Sequence, residues 1–403
     1  MSLIADITTH LFLYCHRNGF EGEIDNNIIR SVVDALVSKS RLVDGAPMSL
    51  ADLGYARLGI DDGWQSCGSG PGGSYHAHDG TPLVNRSRFP SLKSLVNYGH
   101  GAGLLMDFYH INCICMDTYI LNANKTWAYA SWKGNIIQLR DAGFDGIKID
   151  NCGDDNGVGY AVMKKEIEAT GRPLLIENCN QAHGSGPPRG LPNNSSGWCD
   201  FHMFRTGGDI RSSFGDVIAK LQRTIPYQDI LHPISRPGCW AFPDMLEVGN
   251  FDSDLEVIES RTHFSAWCIV SSPLMLSFDV TDEERLDKVW DVISNREAIA
   301  INQDWAGHPG RLVLTDQSMQ VWTKRLSVGQ AVLFLNRGEA EMSASVALEE
   351  LGLPPGEYRI QDIWKKRHLP STISERIETN GIEAHDCWLI KLVPIEKLML
   401  EES

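Results

Sequence analysis

Basic residues are scarce in this chain. Lys and Arg number 36 against 52 Asp and Glu, a formal net charge of −16 over 403 residues, and the pI is about 5.2. Nucleic acid and anionic membranes both demand a basic face. Those partners are therefore excluded, along with polyanionic substrates, whereas a neutral substrate such as a sugar is compatible. No apolar run reaches the ~18 residues that span a bilayer. The N-terminus, MSLIADITTHLFLYC, lacks a basic leader with an apolar segment and a small-residue cleavage site. Either the chain is cytoplasmic or a leader has been removed. There is no internal repeat, no low-complexity segment and no glycine-rich phosphate loop, and nothing calls for a cofactor. No tryptophan precedes Trp64. The ten cysteines are too few for a disulfide scaffold of this size, though many for a cytosolic chain. Sequons at Asn85, Asn124, Asn193 and Asn194 permit a secreted history.

What is present is an alternation of helical and extended signals over about 300 residues. DNNIIRSVVDALVSKS carries apolar pairs at helical spacing behind the capping candidate Asp25. SLKSLVNYGHGAG and TWAYASWKGNIIQLRDAG read as helices, the second stopped by Gly143. Between such segments lie short apolar runs: ARLGIDD, LLMDFYH, GIKID, PLLIEN, FHMFRTGGD and PLMLSFD. Strand–helix alternation on this scale predicts a parallel sheet and an α/β fold, with about eight units suiting a (β/α)8 TIM barrel. Near residue 305 the pattern changes to short alternating runs separated by turn residues. This predicts a small C-terminal antiparallel β domain. The expected boundaries are 1–304 for the barrel and 305–403 for the β domain.

The run GFDGIKIDNCG ends on charge. Lys148 and Asp150 share one face of a strand because side chains alternate. An ion among apolar strand residues is costly unless paired, so the strand end holds either a salt bridge or a site. The same placement recurs. Asp61 and Asp62 end the second strand, Tyr109 and His110 the third, and Glu177 and Asn178 the fifth. Arg205 and Asp209 follow the sixth, and Asp244 a candidate seventh. In a barrel these ends converge on one mouth, where active sites lie. A mouth of carboxylates with a lysine, an arginine and aromatics reads as a divalent-metal site or as a sugar site. The cations beside the best acids, Lys148 and Arg205, favour the sugar; no metal is expected. Cys113, Cys115, Cys152 and His110 form an alternative metal cluster, but C-x-C spacing is atypical of structural zinc.

Five blocks in order, LGIDDGWQ, GFDGIKIDNCG, FRTGGDI, RPGCWAFPDMLEVGN and ESRTHFSAWCIVSSPLMLSFD, resemble glycoside hydrolase family 27, the α-galactosidases and α-N-acetylgalactosaminidases, over about residues 25–396. The resemblance implies a (β/α)8 barrel with a C-terminal β-sandwich and retaining hydrolysis of terminal α-galactosides. It places the nucleophile at Asp150 and the acid/base at Asp209. Asp61, Asp62, Tyr109, Lys148, Glu177, Arg205 and Asp244 fall at sugar contacts. Cys152 would pair with Cys113 or Cys115. A retaining mechanism needs the two carboxyls about 5–5.5 Å apart. Lys148, on the face of Asp150, would keep the nucleophile ionised. Arg205 is expected on sugar hydroxyls and not on Asp209, since a nearby cation opposes the protonated acid. Asp61 and Asp62 serve one sugar only if the chain turns after Asp61, which Gly63 permits.

The chain departs from the family at its start, where LFLYCHRNGFEG replaces a tryptophan motif and leaves Tyr14 and Arg17 as substitutes. It departs again at CWAFPDM, where Phe242 stands for a carboxylate. The segment IENCNQAHG favours galactose over N-acetylgalactosamine. A catalytically inactive carbohydrate-binding homologue is the alternative of a different class, and two opposed carboxylates argue against it. Secretion, or delivery to a lysosome or vacuole, follows if a leader was removed. A homodimer is possible.

Overall fold

The structure is a computed structural model. It describes residues 12–15, 17–20, 23–111, 114–117, 124–150, 160–179, 199–229 and 233–396. The side chains of Tyr14 and Arg17 lie outside this description, as do Cys113 and Cys152. The chain falls into two compact units. The first takes the chain up to Asp209 with Pro237–Met245 and Met275–Leu286. The second takes Ile210–Arg236, Leu246–Leu274 and Asp287 onward.

The first unit is built on eight parallel strands: β1 (Phe12–Cys15), β2 (Arg57–Gly59), β3 (Leu105–Ile111), β4 (Gly146–Asp150), β5 (Leu175–Asn178), β6 (Met203–Arg205), β7 (Trp240–Phe242) and β8 (Leu274–Leu276). Their order in the sheet is β8-β1-β2-β3-β4-β5-β6-β7. The first and last strands of this sheet in chain order, β1 and β8, are thus neighbours, the cyclic order of a (β/α)8 barrel. Helices α1 (Asn26–Val37), α2 (Leu92–Gly101), α3 (Lys125–Ala142) and α4 (Tyr160–Glu168) follow in chain order. Helix α1 packs on α2, α2 on α3 and β3, and α3 on α4.

Local chemistry explains these boundaries. Asp25 caps α1 by accepting from the Asn27 and Ile28 amides, which would otherwise lack partners. Ile29, Val32, Val33 and Leu36 form its buried stripe. Helix α3 stops at Gly143, whose φ of 94° is the left-handed conformation a C-terminal cap requires. In the strands one face is apolar and buried: Met106, Phe108, Ile147, Ile149 and Ile176. The other face carries Asp107, Tyr109, Lys148, Asp150 and Glu177, also buried.

The second unit contains a six-stranded antiparallel sheet of β9 (Arg311–Asp316), β10 (Met319–Arg325), β11 (Gln330–Asn336), β12 (Tyr358–Asp362), β13 (Arg367–Ile373) and β14 (Cys387–Pro394). Its order is β9-β10-β11-β14-β12-β13. Met319, Val321, Val332, Phe334, Ile360, Ile390 and Leu392 supply its core. Helices α5 (Phe214–Gln222), α6 (Glu256–Ile269) and α8 (Arg296–Gln303) also belong to this unit, whereas α7 (Glu283–Ile293) spans the division. Arg261 of α6 grips Asp386 with both carboxylate oxygens within 2.7 Å. Lys324 donates to the Ile301 and Asn302 carbonyls at 2.6 and 2.9 Å, capping the end of α8. No helix among the described residues is long and apolar enough to cross a membrane.

Candidate active site

Register across the parallel ladder aligns the barrel's polar face in rows. Tyr109 lies beside Lys148, Lys148 beside Glu177, Glu177 beside Met203, and Met203 beside Trp240. The next row toward the strand ends holds Ile111 and Asp150, then Arg205 and Phe242. Cys179 joins that row through its amide, which donates to the Ile149 carbonyl at 2.9 Å. A row below, Arg57 binds Asp107 through two hydrogen bonds of 2.6 and 2.7 Å. Gly146 occupies the adjoining position of β4 because a Cβ there would lie 2.4 Å from Asp107 Oδ1 and 2.8 Å from Arg57 Nη2. Glycine in GFDGIKID is therefore what lets this buried pair sit beneath the mouth.

Asp150 is 9% exposed, and its Oδ2 accepts the Tyr109 hydroxyl at 2.8 Å. Burial, then Asp61 and Asp150, push the Tyr109 phenol well above its ordinary value, so it remains a donor. Two groups fix its strand: Trp64 Nε1 donates to the Tyr109 carbonyl at 3.0 Å and the Tyr75 hydroxyl to the Ile111 carbonyl at 2.9 Å. Lys148 Nζ lies 5.3 Å from the Tyr109 ring centroid and 2.7 Å from Asp61 Oδ2. Both partners are buried, and such pairs hold position strongly. After Asp61 the chain turns as expected: Gly63 has φ 112°, and its amide donates to Asp62 Oδ1 at 2.7 Å.

Opposite in chain order, Arg205 Nη1 donates to Asp209 Oδ1 at 2.6 Å and lies 3.6 Å from Asp244 Oδ2. Its Nη2 donates to the Cys179 carbonyl at 3.2 Å. The expectation that Arg205 stands apart from Asp209 is thus corrected: the turn through Gly207 and Gly208 folds the carboxylate back onto the guanidinium. Asp209 is half exposed, its side chain at 52%. Asp244 has φ 152°, an uncommon conformation for a residue with a side chain, and its Oδ1 accepts the Met245 amide at 2.8 Å. Glu177 is buried beside Lys148. Burial pushes its carboxyl up to about 7, Asp61 and Asp244 add to this, and Lys148 and Arg205 oppose it.

Asp61, Asp62, Tyr109, Lys148, Asp150, Glu177, Arg205, Asp209 and Asp244 all belong to the first unit. His110, on the opposite face of β3 from Tyr109, packs its ring 3.8 Å from that of Trp132, away from this row. A second correction concerns the cysteines. Cys115 is bonded to Cys67, with Cα atoms 5.3 Å apart, and so cannot pair with Cys152. The loop after β2 and the loop after β3 meet there, which removes Cys115 from any metal cluster. A pairing of Cys113 with Cys152 lies outside the described residues. Sequence reasoning missed the second bond, Cys199–Cys239. It also missed the Arg57–Asp107 pair and the anchoring of Tyr109 by Trp64. The period-two alternation that places Asp107 on the face of Tyr109 is the signal that was there.

Carboxylates braced by cations and a phenol, at the mouth of a (β/α)8 barrel, are the equipment of a glycoside hydrolase. A family model described as Alpha galactosidase A matches residues 21–304, and one described as Alpha galactosidase C-terminal beta sandwich domain matches residues 316–392. The chain belongs to this α-galactosidase family. It is 29% identical over 390 residues to an alpha-galactosidase of Cyamopsis tetragonoloba, covering 94% of this chain and 84% of that one. It is 30% identical over 331 residues to an alpha-N-acetylgalactosaminidase of Rattus norvegicus, covering 78% and 73%. In fold it resembles alpha-galactosidase I from Mortierella vinacea, with a TM-score of 0.76 at 23% identity over 97% and 98% of the two chains.

Proposed function

We propose that this glycoside hydrolase releases terminal α-linked galactose with retention of anomeric configuration. The observation that carries the reading is the pair of separately held carboxylates, Asp150 on Tyr109 and Asp209 on Arg205. In this reading Asp150, buried in the floor, attacks the anomeric carbon, and the bond to the leaving oxygen breaks as Asp209 protonates it. Water then attacks the anomeric carbon of the glycosyl-enzyme while Asp209 takes its proton, and the ester bond to Asp150 breaks, returning that carboxylate. Donation asks Asp209 to part from Arg205, and the Gly207–Gly208 turn supplies that freedom. Asp61 and Asp62, with Tyr109, Lys148, Arg205 and Asp244, receive the sugar hydroxyls.

The similarity to alpha-N-acetylgalactosaminidases makes N-acetylgalactosamine the second sugar to test. Two disulfides in the first unit support an oxidising compartment, hence secretion or a lysosome or vacuole. The matches ending at 304 and beginning at 316 support the division at 304/305.

A panel of aryl α-glycosides (galactose, N-acetylgalactosamine, arabinopyranose, glucose) tests the substrate. Proton NMR of the first-formed sugar tests the mechanism, and a β-anomer from an α-substrate refutes it. Asp150→Asn is expected to abolish turnover while still binding galactose. Wild type without turnover on any of the panel supports a carbohydrate-binding protein instead.

A further inference from the structure

We propose that Glu177 is a positioning residue for the sugar site: its protonation decides whether the Lys148 ammonium stays on Asp61, and so makes galactose affinity depend on pH. The inference rests on the galactosidase reading above. Glu177 lies directly beside Lys148 in the ladder, on the side away from Tyr109. It is 7% exposed, and among the described residues its carboxyl has no hydrogen-bond partner. Lys148 reaches the other way, past the Tyr109 ring, to Asp61 Oδ2 at 2.7 Å. One buried ammonium thus stands between two carboxyl groups, and it is committed to Asp61.

That commitment holds while Glu177 is neutral. A buried, unpaired carboxylate is costly, which is why burial pushes this carboxyl up to about 7. The charged groups acting on it are Asp61 after β2, Lys148 on β4, Arg205 on β6 and Asp244 after β7; Tyr109 on β3 lies beyond Lys148 in the same row, Asp150 lies two residues along β4 from Lys148, and Cys179 follows the end of β5. Arg205 is engaged by Asp209 and the Cys179 carbonyl. Lys148 is the neighbouring cation in the same row. When the Glu177 proton leaves to solvent, the new carboxylate draws Lys148 from Asp61. Asp61 then loses its brace, and the hydroxyl-accepting array of Asp61 and Asp62 loosens. A purely structural role for Glu177 would alter stability without giving the affinity this pH dependence.

Galactose affinity, measured by calorimetry from about pH 5.5 to 8.5, decides the matter. Partial loss of one charge-assisted hydrogen bond predicts that the wild-type Kd rises about fivefold or more over this range. In Glu177→Gln the rise is expected to stay below about twofold. Glu177→Met, neutral and of similar volume, gives the same flat profile should the glutamine variant not fold. Parallel profiles in wild type and variant overturn this inference and leave the galactosidase reading intact. Wild type that binds no galactose at any pH overturns that reading, and this inference with it.

Discussion

Replacing Arg57 by methionine removes the cation beneath the barrel mouth. Arg57 makes hydrogen bonds of 2.7 and 2.6 Å to Asp107 and one of 2.9 Å to the Asp145 carbonyl. Both side chains are nearly solvent-free, at 8% and 5% exposure. Burial raises the pKa of Asp107, Arg57 opposes that rise, and Asp145 adds to it. Without the arginine, Asp107 becomes a buried carboxyl with no counter-ion. Breaking such a pair costs about 3–5 kcal/mol. At about 2.1 cal/mol/K per residue, a chain of 403 residues has an unfolding entropy near 0.8 kcal/mol/K. The expected fall in Tm is therefore about 4–6 °C, read by circular dichroism. Adding Asp107→Leu removes the stranded acid, and the double variant is expected to recover most of the loss. A single variant as stable as wild type, or a double variant no better than the single one, refutes the reasoning.

Glu177 also makes stability depend on pH. Its folded pKa of about 7 lies above its ordinary 4.5, so its contribution is complete below pH 4.5 and is lost as pH rises to about 7. At about 1.4 kcal/mol per pH unit this amounts to roughly 3 kcal/mol. The Tm of wild type relative to Glu177→Gln should fall by about 4 °C between pH 4 and 8, and a constant difference contradicts the assignment. Cys67→Ser opens a disulfide of sequence separation 48 and is expected to lower stability by about 4 kcal/mol in the chain-entropy account. An unchanged melt under non-reducing conditions argues against the bond. Asp62→Ala should lower kcat/KM for an aryl α-galactoside by about tenfold or more without lowering Tm. Lost Tm with intact kcat/KM shows that Asp62 only holds the turn with Gly63.

Much of the fold was legible because its signals are local. Asp25 caps a helix through amides two and three residues away, and Gly143 ends one by its own φ. The mouth was legible for a related reason. Alternation along a strand and the convergence of strand ends in a barrel place Asp150, Lys148 and Tyr109 together without any knowledge of distant contacts. The family blocks spanning LGIDDGWQ to PLMLSFD added roles to those positions.

By itself, then, the sequence determined the alternation of elements, the change near residue 305, the family and the acidic mouth. It did so because periodicity, capping and motif order are properties of neighbouring residues. Tertiary structure decided which groups meet across long separations. It paired Cys67 with Cys115 and Cys199 with Cys239, and it set Arg57 on Asp107. It turned Lys148 to Asp61 and laid Arg205 on Asp209. It also gathered α5, α6 and α8 with the β domain into one compact unit. Each of these depends on loop closure and strand register, and neither is encoded in the spacing of the residues concerned. For Glu177, the sequence showed an acid near a strand end. Only the ladder set it beside a lysine already committed to another carboxylate, and that competition for one buried ammonium is a property of three strands at once.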